Sequence, residues 1–208
     1  MKIITIQHTE SYHHLNKMVG SRTDWDLTPK GLKDIKRIAK RLKKEILGEK
    51  EILVYSSPLK RAKNGAFIIA KILNAEEVII DDRINQLSLG DAMGKSLEWF
   101  KQNRITDEIS LHSKAFSNAE SNSEVWDRLT SFYNEVLVNQ SCGKTIIVIS
   151  HGITLSLLNM IHLGLDKKNV DSCLIKGDSG GVTFYGKFPD GKKYIHRVSD
   201  MSYVKRIF

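Results

Sequence analysis

The chain holds only two cysteines, Cys142 and Cys173, and three prolines among its 208 residues. Two cysteines are too few for a disulfide framework, and their scarcity fits a reducing, cytosolic setting. A chain of this length buries roughly 70% of its unfolded surface and needs no covalent staples. Long hydrophobic runs are missing as well. The N-terminal stretch MKIITIQH is far too short in apolar residues for a signal segment or a membrane span, so a cytoplasmic protein without a membrane partner is expected. Metal-ligand spacing is absent: His13-His14 is not a zinc pattern and the cysteines stand alone, so neither a metal nor a cofactor is expected. Glycine-spaced dinucleotide fingerprints do not occur. Gly90-Asp91-Ala92-Met93-Gly94-Lys95-Ser96 has one residue too few between its glycines for a phosphate loop.

What is present is positive charge. Thirty-two basic residues against 24 acidic ones give a net charge of +8. The excess is uneven, at +6 over residues 1–50, +1 over 51–104, −4 over 105–140 and +5 over 141–208. The densest stretch, Lys30 to Lys44, alternates its charges with Leu32, Ile35, Ile38, Ala39 and Leu42, which is the solvated face of an amphipathic helix. Aromatics make up only 8% of the chain and do not interleave with this run. No stacking platform for nucleic acid results, and a small anionic ligand is the better match to the charge.

Hydrophobic patterning predicts an α/β fold. Apolar, β-branched runs at Ile3–Ile6, Ile52–Tyr55, Val78–Ile80 and Ile146–Ile149 read as buried strands of a mostly parallel sheet. Helices fall between them. One starts at Thr28 as cap with Pro29 first, others run from about Leu59 to Leu73 and from about Ser123 to Val138, and a fourth follows His151. Strand–helix alternation implies a three-layer αβα sandwich. Val182–Tyr185 and Tyr194–Val198, joined around Pro189-Asp190-Gly191, read as an antiparallel hairpin at the sheet's edge. At about 150 residues per domain, residues 1–208 are expected to form one domain. Residues 91–122 break the rhythm and are expected to form an insertion or lid.

In open α/β sheets the working groups gather at the carboxyl ends of strands. Those ends here read Gln7-His8-Thr9-Glu10, Ser56-Ser57-Pro58-Leu59-Lys60-Arg61 and Ser150-His151-Gly152. Two histidines and an arginine, distant in sequence, thus converge on one rim.

These blocks resemble the histidine phosphatase superfamily, also called phosphoglycerate mutase-like. Gln7-His8-Thr9-Glu10-Ser11 stands where the family has Arg-His-Gly-Glu-Ser. Leu27-Thr28-Pro29-Lys30-Gly31 resembles its Leu-Thr-x-x-Gly segment, and Ser56-Ser57-Pro58-Leu59-Lys60-Arg61-Ala62 its Ser-Ser-Pro-Leu-x-Arg-Ala. Asn118-Ala119-Glu120-Ser121 resembles its Gly-Glu-Ser element, and Val148-Ile149-Ser150-His151-Gly152 its second histidine block. The resemblance implies a phosphomonoester hydrolase acting on a small phosphorylated metabolite. His8 would form a transient phosphohistidine, while Arg61 and His151 hold the phosphoryl oxygens. The segment between Gly94 and Ser121 is short, which favours a phosphatase over a mutase.

Two positions depart from the family pattern. Gln7 replaces an arginine, exchanging a charge-assisted contact for a neutral one, a loss on the order of 1 kcal/mol or more. Gln86 replaces the glutamate that protonates the leaving oxygen, and glutamine cannot act as a general acid. Gln7, His14, Ser21, Arg22 and Gln86 are nonetheless the expected substrate-binding residues. His14 stands where the family often has a phosphate-binding asparagine, and Arg22 is a candidate to restore the charge missing at Gln7. Asp91 and Glu120 are the nearest candidate acids. The alternative is a catalytically weak member that binds inorganic phosphate, a phosphorylated ligand or a protein as a sensor or scaffold. Oligomeric state leaves no mark on the sequence.

Overall fold

A computed structural model describes residues 2–49, 51–140 and 143–204. Cys142 lies outside the described residues, and Cys173 is exposed. The predicted β-branched runs become Lys2–Gln7 (β1), Ile52–Ser56 (β2), Val78–Ile80 (β3) and Thr145–Ser150 (β4). Val182–Lys187 (β5) and Lys193–Asp200 (β6) form the antiparallel hairpin. The six strands lie in the order β3-β2-β4-β1-β5-β6. Pairing is parallel from β3 to β1 and antiparallel from β1 through β6. The α/β sandwich with an antiparallel edge is as the sequence implies.

Alternation along the strands divides the core into two layers. In β4, Ile146 and Val148 face one side with Ile3, Tyr55 and Tyr185. Ile147 and Ile149 face the other with Ile4, Ile6 and Val54. That alternation is what the period of two along a strand requires. Every residue of β4 is buried, as befits the strand with helices on both faces and neighbours on both edges. β3 differs from expectation. It has one strand neighbour and is only half-buried, with Ile80 exposed, so its apolar run caps an edge rather than filling the core.

The helices are Tyr12–Leu15 (α1), Pro29–Glu45 (α2), Lys60–Leu73 (α3), Leu97–Asn103 (α4), Asn122–Phe132 (α5) and Gly152–Leu163 (α6). α2 and α3 cover one face, with Ile35, Ile38, Ala39 and Leu42 meeting Ala62, Ala66 and Ile69. α5 and α6 cover the other. The helix expected to reach Val138 is α only to Phe132 and finishes as a π-helical turn over Tyr133–Val138. Among the described residues, no helix is long and apolar enough to cross a membrane.

Residues 91–122 hold one short helix, α4, and otherwise irregular backbone. Leu111 joins the main core, while Ala92, Phe116 and Ala119 pack with Val19 in a separate small cluster flanked by Trp99 and Phe100. Gly90-Asp91-Ala92 is a single 3-10 turn that follows no strand, so the loop there is no phosphate cradle.

Candidate active site

Register brings the site together. Gln7 of β1 pairs with Ser150 of β4, and Ser56 of β2 pairs with Ile149, so three strands end side by side. The residues that follow, His8, Ser57 and His151, therefore emerge on one rim. The His8 N–H donates to the Ser150 carbonyl at 3.0 Å and the Ser57 N–H to the Ile149 carbonyl at 3.2 Å, extending the ladder into the site. His8, Arg61 and His151 are all buried, and the His8 and His151 ring centres lie 5.2 Å apart.

The loop after β1 is anchored on the start of α2. Thr28 Oγ1 donates to Glu10 Oε1 at 2.7 Å and accepts from the Gly31 N–H at 3.0 Å, capping the helix. Thr9 Oγ1 donates to the Gly31 carbonyl at 2.8 Å. A Cβ at Gly31 would run into the Glu10 carbonyl oxygen, so this close approach requires glycine. The Thr-x-x-Gly element is thus the clamp that fixes the loop carrying His8.

Arg61 is fixed by three bonds. Its Nη1 donates to the Thr23 carbonyl at 2.6 Å, its Nη2 to the Ser21 carbonyl at 2.5 Å and its Nε to His8 Nε2 at 3.2 Å. Ser21 has a left-handed backbone, with φ of 36°, a conformation uncommon for a non-glycine residue. Its side chain donates to the Leu87 carbonyl at 3.1 Å and accepts from the Leu89 N–H at 2.8 Å, which ties the arginine's cradle to the segment after Gln86.

The His8 tautomer follows from its partners. The Thr9 carbonyl, 2.8 Å from Nδ1, can only accept, so Nδ1 carries the proton. Nε2, which accepts from Arg61, carries the lone pair. Burial, and then the Arg61 charge, hold the His8 pKa well below its ordinary value, so the ring is neutral at pH 7. Burial and Arg61 do the same to His151. His151 Nε2 is 2.7 Å from Ser57 Oγ, while its Nδ1 is buried without a partner among the described residues.

A cavity of about 220 Å³ opens beside His8, walled by Gln7, His13, His14, Gln86, Ile153 and Lys176, with Gly152 and Gly177 completing it. No aspartate or glutamate lines it among the described residues. Gln7 and Gln86 both border the cavity. The Gln86 amide oxygen accepts from the Leu87 N–H at 3.2 Å and from Thr154 Oγ1 at 3.3 Å, so α6 holds it. His14 also borders it, its Nδ1 accepting from the Ser11 N–H at 3.1 Å, which leaves the proton on Nε2.

Arg22 and Ser21 do not line this cavity, and Arg61 and His151 meet it only through His8, which they flank. Arg22 is not the replacement for the missing cation, because its Nη2 is paired with Glu120 Oε1 at 2.7 Å. Glu120 is also held by Arg128 at 3.2 Å and by the Ser88 N–H at 2.8 Å. A carboxylate so satisfied is a structural buttress, not a proton donor. Asp91 is exposed and bonded to Asn118.

Sequence reasoning missed three lining residues. Ile153 follows the second histidine block and was readable only as helix. His13 was set aside for its spacing; its ring lies 5.9 Å from His8, and burial depresses its pKa to about 3. Lys176 sits in the loop before β5 and carried no motif at all. Gly177 beside it approaches Gln7, which also lies 3.5 Å from Ser179 Oγ. Lys176 is the one lysine or arginine that lines the cavity among the described residues.

The family model described as the histidine phosphatase superfamily (branch 1) matches residues 3–200. The chain is 31% identical to a phosphoserine phosphatase 1 of Hydrogenobacter thermophilus, covering 80% of this chain and 78% of that one. It is 30% identical to a probable phosphatase of Schizosaccharomyces pombe, over 86% of this chain and 66% of that protein's length. Among solved structures, a mycobacterial glucosyl-3-phosphoglycerate phosphatase in complex with inorganic phosphate superposes with a TM-score of 0.81. The two share 16% identity over 98% of this chain and 99% of that one, a likeness of fold.

Proposed function

The chain belongs to the histidine phosphatase superfamily and is an enzyme of phosphatase type, and on that premise we propose that it hydrolyses small phosphomonoesters through a phosphohistidine on His8. One observation carries this reading above the others. A buried, neutral His8 keeps its proton on Nδ1 and its lone pair on Nε2, next to a fixed guanidinium. Nε2 attacks phosphorus, an N–P bond forms, and the P–O bond to the leaving group breaks with its electron pair going to oxygen. Water then attacks the phosphohistidine, returns the electron pair to Nε2 and releases phosphate.

The surrounding groups supply electrostatic stabilisation where charge develops. Arg61 turns its Nε–H from His8 to a phosphoryl oxygen while its other nitrogens stay on the Ser21 and Thr23 carbonyls. His151 Nδ1 gains an oxygen partner, relieving a buried polar atom whose isolation costs about 1–3 kcal/mol. Gln7 and His14 contribute neutral N–H donors, and Lys176 contributes the charge that Gln7 lacks. Metal chemistry is not needed for any of these steps.

The test is hydrolysis of p-nitrophenyl phosphate by the wild type and by His8→Ala, with chelator present. The wild type is expected to turn over and the variant to fall to background. Equal rates for both would overturn the proposal. The absence of a carboxylate in the cavity favours one second reading, a phosphate-binding sensor. Phosphate or vanadate binding by a wild type that shows no turnover would establish it.

A further inference from the structure

The cavity beside His8 does not end at the phosphoryl site. Ile153 also borders a second groove, of about 240 Å³, and Leu87 on that groove's floor is the neighbour of Gln86. The floor is apolar, built from Leu87, Leu89, Phe100, Ala115 and Ile153, with Ile109 at its edge. Polar residues (Thr106, Ser113 and Asn122) and four charged ones also line it, and the charged ones are largely committed. Arg104 is paired with Asp107, and Glu120 with Arg22 and Arg128. Glu108 is exposed. The other way out of the cavity, past His14, leads to a groove of opposite character. There Lys30 and Arg37 are paired with Asp34, and Glu10 lies 3.8 Å from Lys30.

A second, independent observation concerns the leaving oxygen. With no carboxylic acid among the residues lining the cavity and His13 and His14 held neutral at pH 7, no carboxyl or imidazolium group there is poised to donate a proton at departure. The exposed Lys176 ammonium is assigned above to the phosphoryl charge. An alkoxide leaves poorly without one. A phenolate carries its own negative charge far better and departs unaided, taking the P–O electron pair and collecting a proton from solvent afterwards.

We propose that the ester hydrolysed here is an aryl phosphomonoester, its phosphoryl group beside His8 and its ring on the apolar floor formed by Ile153, Leu87, Leu89 and Phe100. This rests on the phosphatase reading above. It departs from what the phosphoserine phosphatase relative would suggest, since serine is an alkyl leaving group.

Binding and departure are tested separately. Phosphonates cannot be cleaved, so their competition with p-nitrophenyl phosphate reads binding alone. Benzylphosphonate is expected to inhibit at least about tenfold more tightly than methylphosphonate, the gain from placing a ring on an apolar floor. Ile109→Asp, at an exposed edge position where folding is not at risk, and Phe100→Ala should both shrink that ratio. For turnover, kcat/KM for phenyl phosphate should exceed that for phosphoserine by about 10²-fold or more, the low end of what general acid catalysis supplies. Equal inhibition by the two phosphonates, or phosphoserine turned over as fast as phenyl phosphate, would overturn the proposal. Background turnover of every ester would instead overturn the phosphatase reading, and the phosphonate ratio would still decide the groove.

Discussion

The carboxyl ends of β1, β2 and β4 and the segment 91–122, which supplies Phe100 to the proposed groove, are two contrasting halves held by opposite means. At the strand ends, each functional group is positioned by backbone already committed to the sheet. His8 and Ser57 continue a hydrogen-bonded ladder, His151 directly follows the last residue of β4, and the Arg61 guanidinium is fixed by two backbone carbonyls. In the segment 91–122, one short helix and a small separate cluster hold the chain, and exposed side chains such as Ile105 and Ile109 face outward. In the proposed reaction the first half meets a phosphoryl group whose geometry never changes, and the second meets part of what is attached to it, where backbone is free to vary.

The comparison is most severely strained by removing Arg61. Arg61→Gln leaves a neutral donor near His8 but withdraws the charge, and kcat for any phosphoester should fall by about 10²- to 10³-fold. A small effect would mean that the rigid half is not where the stabilisation lies. Gln86→Glu asks the converse. It installs a carboxyl group at the boundary between the halves, and the rate on phosphoserine should rise by about 10²-fold while phenyl phosphate changes far less. An equal change for both would place Gln86 away from the leaving oxygen.

Gly31→Ala probes the clamp instead of the chemistry. The added methyl group meets the Glu10 carbonyl, and overpacking of this kind costs about 1–3 kcal/mol, readable as a lower urea midpoint. The same substitution at Gly94, which has open space around it but a φ of +79°, measures backbone strain alone and should cost about 1 kcal/mol.

Acid should weaken the strand-end half in particular. Burial and Arg61 hold His8 and His151 well below 6.5 in the fold, and both return to about 6.5 in the unfolded chain. Below pH 6.5 the unfolded chain then binds more protons than the native one. Stability is full above that value and falls as the pH drops toward the depressed values, by about 1.4 kcal/mol per pH unit for each such histidine. Tm measured at pH 7.5, 6.5 and 5.5 checks this, and a flat profile would contradict neutral burial. The smallest expected effect is at Lys176. Lys176→Gln should weaken inorganic phosphate inhibition about tenfold or less, because the side chain is exposed and its charge is screened. Adding Gln7→Arg to that variant should restore affinity if the two positions serve one charge.

Legibility in the sequence followed the same division. β4 and the helix from Thr28 announced themselves because burial on both faces and a capped amphipathic stripe leave periodic signatures. His8, Arg61 and His151 were legible because a sheet forces strand ends into register. Residues whose roles depend on loop paths were not. Arg22 looked free to hold phosphate, yet it is tied up at Glu120, which also holds Ser88 from across the fold and Arg128 from the next helix. Lys176 had no periodicity or motif to mark it, and only the path of the loop before β5 brings it beside Gln7. The exposed edge strand β3 was misread for a related reason. An apolar run of three residues does not say how many neighbours it has.

The central claim is that His8 Nε2 takes the phosphoryl group. It is tested most directly by mixing enzyme with excess p-nitrophenyl phosphate, quenching in alkaline denaturant, where phosphoramidates survive, and mapping the modification by mass spectrometry. A single phosphoryl group on His8, absent from His8→Ala, is the predicted result. Turnover with the phosphoryl group found on another residue, or with none on His8 at any quench time, would contradict it.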